Sequence, residues 1–331
     1  MKIAAIYPVG ENEEKFLQLS IQSVQEIVDL VIILFDKKVS ENSKQNCLKF
    51  LKSFNSKIYF LDESHTRDTN APREELLKIS RSLNISHFLW LDCDEIFYAK
   101  NKKEFKKKIL KLNIGQKIFL KWINLWENYD LIRVDIKSQW ANTFKDFIVN
   151  DDPTYNFNIS YHEQRTQGPN LSNYIKVNND EACVYHLQWL PWENCQYKQA
   201  WYMLNELKNK YEKNAMVINR KYYESIYQLN PKLKKIKIEE KLKGVDLELL
   251  KGIKYFKQLD NWEKKFNAFF ENNNIDDYKN LNVWHLDILK NLYLTKKGHQ
   301  PGFNFKIFIN NQVFLTKFYL RFLKKLFSQI I

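Results

Sequence analysis

Glycine and proline are scarce in this chain, seven of each in 331 residues, against a background rich in Lys, Asn and Ile. No glycine-rich loop with a signature lysine is present, so a phosphate-cradling loop of that kind is excluded. The four cysteines, Cys47, Cys93, Cys183 and Cys195, have neither zinc-binding spacing nor the pairing of a disulfide framework, which suits a reducing cytosol. Nowhere do about 18 uncharged apolar residues run together, so no transmembrane helix is expected. The N-terminus reaches Pro8 and Glu11 too soon for the apolar core of a signal peptide.

What is present suffices for a folded protein of one large domain and a smaller one, with 44% hydrophobic residues to fill a core. The formal charge of +13 is unevenly spread. Residues 1–190 carry 26 Lys+Arg against 25 Asp+Glu, whereas residues 191–331 carry 26 against 14. A near-neutral module 1–190 and a basic module 191–331 are therefore expected, the second facing an anionic surface, lipid diphosphate or acidic polysaccharide.

The organising stretch is His87-Phe88-Leu89-Trp90-Leu91-Asp92-Cys93-Asp94-Glu95-Ile96-Phe97, an apolar run that ends in a cluster of acids. Such a run suits a strand buried on both faces. In extended chain Asp92 and Asp94 point the same way and Cys93 the other, so two carboxylate oxygens converge. A divalent Mg²⁺ or Mn²⁺ that also grips phosphate oxygens fits between them. A solvated acidic turn is the plainer alternative.

Before this stretch, apolar strands are expected over 3–7, 30–35 and 57–61, with amphipathic helices over 13–28, 43–54 and 70–83. The helix at 70 has an N-cap candidate in Asn70 and an early proline, Pro72. Strand and helix alternate, which implies an α/β fold with a parallel sheet and right-handed crossovers. Ligands of such sheets bind beyond the carboxyl ends of the strands, where Pro8, Asp36, Asp62, Asp92 and Asp94 all fall.

Pro8, Glu11, Asn12, Glu13 and Glu14 after the first strand, Asp36 closing the second, Arg73 opening the helix before the motif, and Leu91–Glu95 together resemble family 2 glycosyltransferases of the GT-A fold. The resemblance covers roughly residues 1–190. It implies a Rossmann-like sheet and a nucleoside-diphosphate sugar donor, UDP- or GDP-linked, with base and ribose near Pro8, Glu11 and Asp36. The diphosphate is then held by Mn²⁺ or Mg²⁺ on Asp92 and Asp94, with Arg73 near diphosphate or ribose. Phe35-Asp36-Lys37-Lys38 departs from the usual Asp-Asp-Gly-Ser, and no Gln-x-x-Arg-Trp occurs, which argues against processive polymerisation. Asp92-Cys93-Asp94-Glu95 is similar to the variant seen in transferases that build bacterial surface glycans, such as capsule or lipooligosaccharide. The implied acceptor is a glycan or a lipid-linked acceptor at the cytoplasmic membrane face.

Inverting sugar transfer needs a carboxylate to take the acceptor's proton, and Glu163, between His162 and Arg165, is the candidate base, with Asp146 and Asp152 as rivals. His186, ending a short apolar strand, is a candidate further metal ligand or else a packed core residue. Trp122, Trp126 and Trp140 are either sugar platforms or packing residues.

Beyond residue 190 helices are expected over 194–210, 212–229 and 247–269, with a solvated basic run at 232–237. Residues 313–331 place Lys317, Arg321, Lys324 and Lys325 on one face and Phe314, Phe318, Phe322 and Leu326 largely on the other. Such a helix suits peripheral contact with an anionic membrane, or docking onto the first module. Two rival functions remain open: a nucleotidyltransferase, and a basic module binding nucleic acid or anionic polymer. Acids on the rim of the neutral half disfavour nucleic acid, which they would repel.

Overall fold

The computed structural model describes all residues except 12, 38, 62–69, 136–137, 158–164, 169–172, 210–213, 227–231, 257 and 300–331. Asn12, Asp62, His162, the expected base Glu163 and the helix expected over 313–331 therefore lie outside the described residues.

In chain order the elements begin with β1 (Ile3–Val9), α1 (Glu14–Val24), β2 (Leu30–Phe35), α2 (Glu41–Leu51), β3 (Ser56–Phe60), α3 (Asn70–Ser82), β4 (His87–Trp90) and β5 (Glu95–Ala99). Then come α4 (Lys102–Leu110), β6 (Lys117–Asn124), β7 (Leu131–Arg133), β8 (Phe144–Asn150), β9 (Tyr174–Lys176) and β10 (Ala182–His186). They are followed by α5 (Trp192–Lys208), α6 (Ala215–Lys221), α7 (Tyr223–Ile226), β11 (Leu233–Lys235), α8 (Ile238–Lys241), α9 (Leu247–Gly252), α10 (Leu259–Glu271) and α11 (Asp287–Lys297).

The chain divides into two units, one of Met1–Leu190 with Lys232–Lys254, the other of Pro191–Pro231 with Tyr255 onward. Residues 232–254 go with the first unit because β11 pairs antiparallel with β7. The basic run at 232–237 is partly a strand, and its lysines are exposed, as expected of a solvated face.

The first unit is a Rossmann-like α/β fold built on a curled sheet in the order β3-β2-β1-β4-β8-β6-β10-β5, with β9 beside β6. The strands β1 to β4 run parallel; β1, β2 and β4 are apolar and buried on both faces, whereas β3, at the sheet edge, is half-buried. Antiparallel β8 then separates β4 from β6, and β6 and β10 are parallel to each other. Two successive antiparallel pairings restore direction, so β1, β4, β6 and β10 all deliver their carboxyl ends to one rim. The strands β5 and β8 start at that same rim, because each is antiparallel to a neighbour that ends there.

Beneath the rim Ala4, Ile6, Ile32, Leu34, Leu76, Phe88 and Trp90 form a closed cluster. Each buried large apolar side chain contributes about 1.5–3 kcal/mol, which makes the sheet a rigid base for side chains at strand ends. Ser40 caps α2 by accepting from Ser43 N at 3.3 Å, and Asn101 caps α4 by accepting from Glu104 N at 3.2 Å.

The second unit is helical. Met203, Leu204, Phe266, Phe269, Phe270, Trp284, Leu289 and Tyr293 make its core, with the Trp284 indole donating to Tyr278 O at 3.1 Å. The helix expected over 247–269 is interrupted: α9 ends at Gly252, a poor helix former, a 3₁₀ turn covers Ile253–Tyr255, and α10 starts afresh at Leu259. The helix expected over 212–229 is likewise divided into α6 and α7.

Candidate functional site

The chain does not continue extended through the acidic motif. Strand β4 stops at Trp90 and residues 91–94 turn directly into β5. Glu95 closes that turn twice: its N–H donates to Asp92 O at 3.1 Å, and its carboxylate accepts from Asp92 N at 2.8 Å. The expected strand-like alternation is thereby corrected. Asp92 and Asp94 keep company with different partners.

Asp92 faces guanidinium groups. Arg165 Nη1 lies 2.8 Å from its Oδ2 and Arg73 Nη2, from α3, 3.5 Å from its Oδ1. Enclosure by the protein raises the Asp92 pKa, but Arg165 and Arg73 outweigh it and hold the group at about 2. Its side chain is still 39% exposed, so a ligand can reach it. Glu95 is fully buried and bonded by Arg165 Nη2 at 2.5 Å, yet burial pushes its carboxyl up to about 8 against the pull of that guanidinium. Burial disfavours the Arg165 charge, and Asp92 with Glu95 more than restores it.

Arg165 is delivered to this place by Asp146. The Asp146 carboxylate accepts from Arg165 N at 3.1 Å, Thr166 N at 3.3 Å and Thr166 Oγ1 at 2.5 Å, and pairs with Lys117 Nζ at 3.3 Å. A carboxylate so occupied is an anchor, which removes Asp146 as a rival for the base. Gly168 ends the segment at φ +80°, where a Cβ would come within 2.9 Å of the Tyr155 ring. Asp152, the other rival, accepts from Thr154 N and Oγ1 at 2.9 and 2.7 Å in a turn.

Asp94 faces His186, whose Nε2 lies 3.4 Å from Asp94 Oδ2. His186 and Asn124 are the last residues of β10 and β6 and are register partners. Asn124 Oδ1 accepts from Trp189 Nε1 at 3.0 Å, while its Nδ2 donates to Trp140 O at 2.6 Å. An indole N–H can only donate, so the amide's orientation is fixed and His186 Nδ1, 2.8 Å from the same oxygen, is the donor. In the neutral ring Nε2 then points a lone pair at a carboxylate oxygen. A cation between the two, or a proton on Nε2, resolves that opposition.

Asp94 and His186 fit a divalent ion as a two-donor set. Cis ligands about 2.1 Å from an octahedral ion stand about 3 Å apart, close to the separation seen. No group of three or more His, Cys, Asp and Glu among the described residues is arranged to hold a metal, so ligand oxygens or water would complete the sphere. Magnesium in particular is commonly held by one or two carboxylates together with substrate phosphates.

Around this pair sit rings and one more cation. Trp122 lies against His186 with centroids 4.2 Å apart, and the Lys145 ammonium lies 3.8 Å from the Trp122 ring centroid. Trp126 is not a sugar platform: it is fully buried and stacks on Trp189 at 4.4 Å. Trp122 is also mostly buried, and Trp140 packs edge-on against Trp189.

The remaining expected residues lie at the exit of β1. The Pro8 carbonyl is 3.5 Å from the Cys93 thiol, which ties β1 to the acidic turn. Asp36 N donates to Val9 O at 2.9 Å, setting Asp36 beside that exit. Glu11 is engaged elsewhere, its carboxylate accepting from Ser40 N at 2.6 Å and Ser40 Oγ at 2.8 Å at the start of α2. Asn124 and Lys145 were missed by sequence reading; their only signal is that each sits at the rim end of a strand.

No protein-family model matches the sequence, and no curated protein does. One solved structure similar to the chain is described as a glucose-1-phosphate thymidylyltransferase of Bacillus anthracis, in complex with sucrose. It is 7% identical, with a TM-score of 0.29 over 45% of this chain and 71% of that one. Among the described residues no helix is long and apolar enough to cross a membrane.

Proposed function

We propose that this chain is a glycosyltransferase that takes a nucleoside-diphosphate sugar, UDP- or GDP-linked, and moves its sugar to a glycan or lipid-linked acceptor. The observation that carries the reading is the His186 nitrogen turned by Asn124 toward Asp94 at the carboxyl-end rim of a Rossmann-like sheet. Ligands of such sheets bind outside those ends. Asp94 and His186 would hold Mn²⁺ or Mg²⁺, whose charge offsets that of the departing diphosphate.

The protein's own cations do similar work. Arg73 and Arg165 border the part-exposed Asp92 carboxylate, and guanidinium forks match phosphate oxygens in pairs. Pro8 and Asp36, at the exit of β1, would line the base and ribose. Glu11 supports the wall by holding Ser40, the N-cap of α2, and Glu163 takes the acceptor's proton. The sequence resemblance supports assignment to surface-glycan synthesis, at the inner face of the membrane.

Incubating the protein with a panel of nucleoside-diphosphate sugars and Mn²⁺ tests this. Slow release of free sugar or transfer from one of them is expected, and loss of that turnover in Asp94→Asn. Absence of turnover across the whole panel, with the protein folded and metal supplied, overturns the assignment.

A further inference from the structure

Lys145, the second residue of β8, lies at the rim and is the one cation near the acidic turn that the described residues leave without an ion pair. Its ammonium rests 3.8 Å from the centroid of the Trp122 ring. A cation on an indole face is stabilised, but such a face carries no net charge to neutralise it. The same indole packs against His186, so Lys145 is one ring removed from the Asp94–His186 pair.

Its electrostatic surroundings point the same way. Burial pushes Lys145 down to about 8, and Arg165 and Arg73 add to that push, while Glu95 and Asp92 oppose it. Three cations are thus gathered where Asp92 and Glu95 are already paired with Arg165. Bringing a third positive charge there costs stability in the unliganded protein. An anion bound between them would recover that cost. Because lysine presents a compact ammonium with rotatable donors, it suits single phosphate oxygens, whereas arginine suits pairs.

Resting on the glycosyltransferase reading above, we infer that Lys145 is a third cation of the donor site, and that its ammonium binds the diphosphate of the nucleoside-diphosphate ligand. Arg73 and Arg165 then border the diphosphate from the Asp92 side and Lys145 from the Trp122 side. Trp122 serves as the plate that holds the ammonium extended before the ligand arrives.

The test uses Lys145→Met, which keeps a flexible apolar stem against Trp122, and Lys145→Arg, which keeps the charge. Binding of UDP, GDP, UMP, GMP and uridine to the full chain is measured by calorimetry with Mn²⁺. Lys145→Met is expected to weaken the bound nucleoside diphosphate by about tenfold. The monophosphate should change much less, uridine not at all, and Lys145→Arg should restore most of the loss. Equal diphosphate affinity in wild type and Lys145→Met overturns the inference while leaving the transferase reading intact. Equal weakening of uridine and diphosphate also overturns it, since that reports general distortion. If wild type itself binds no nucleoside diphosphate, the transferase reading fails first, and this inference with it.

Discussion

Asn124 Oδ1, its amide held by Trp189 and Trp140, accepts the Nδ1 hydrogen of His186 at 2.8 Å, which leaves the other imidazole nitrogen facing Asp94. Outer partners of this kind set the tautomer and direction of a ligating histidine, and their removal typically lowers metal affinity by about 10–100-fold. Asn124→Leu is therefore expected to weaken Mn²⁺ binding by about that factor, followed by paramagnetic resonance of free Mn²⁺. His186→Ala should weaken it comparably. Unchanged affinity in both would remove the pair from any metal site.

Asp146 and Lys117 form a buried pair whose two members are not equivalent. Asp146→Ala leaves the Lys117 ammonium, 1% exposed, without its counter-charge and with the Gly168 carbonyl at 3.4 Å as acceptor, and takes away the acceptor for Arg165 N and Thr166 N. Breaking a buried pair this way costs about 3–5 kcal/mol. Lys117→Met leaves Asp146 with its other donors and should cost clearly less. Urea denaturation gives the ordering, and the reverse ordering would contradict the anchoring role.

His87, fully buried at the start of β4, supplies a pH dependence. Burial, helped by the terminal amine, pushes its pKa below the ordinary 6.5. The unfolded chain thus binds the proton more readily. Stability from this group is complete above pH 6.5 and declines as pH falls toward the folded value, by at most about 1.4 kcal/mol per pH unit. Stability curves between pH 7 and 5 should be flatter for His87→Phe. His285, also lowered by burial, keeps a remainder of the same sign. An identical slope in the variant would show that His87 is not protonated on unfolding in this range.

Glu163→Gln should leave donor binding intact and reduce transfer by about 10²–10⁴-fold, the usual worth of a general base. Single-turnover rates alongside nucleotide affinity separate the two. Near-normal turnover would return the base to an open question.

Much of the sheet was legible. The apolar runs at Ile3–Val9, Leu30–Phe35 and His87–Trp90 announce buried parallel strands because they are hydrophobic on both faces. The turn at Asp92 was not, since it depends on the Glu95 carboxylate folding back over three residues onto Asp92 N, which strand-like alternation does not reveal. The insertion of β8 between β4 and β6 is a long-range pairing that periodicity does not reveal. At the site, His186 was visible as a polar residue ending an apolar strand. Asn124 was not, because its meaning lies in partners 16, 62 and 65 residues away. In the sequence Arg165 stands near Glu163, whereas the fold carries it 70 residues back to Glu95.

The most direct test is the thermal midpoint of the intact chain with millimolar UDP or GDP, each with and without Mn²⁺. A ligand that binds only the folded state stabilises by RT ln(1 + [L]/Kd), about 2.7 kcal/mol at a hundredfold excess over Kd. A rise with at least one diphosphate is expected, larger with Mn²⁺, with the Mn²⁺ increment absent in Asp94→Asn. A midpoint indifferent to both diphosphates, with and without the ion, would contradict a nucleotide-sugar site at this rim.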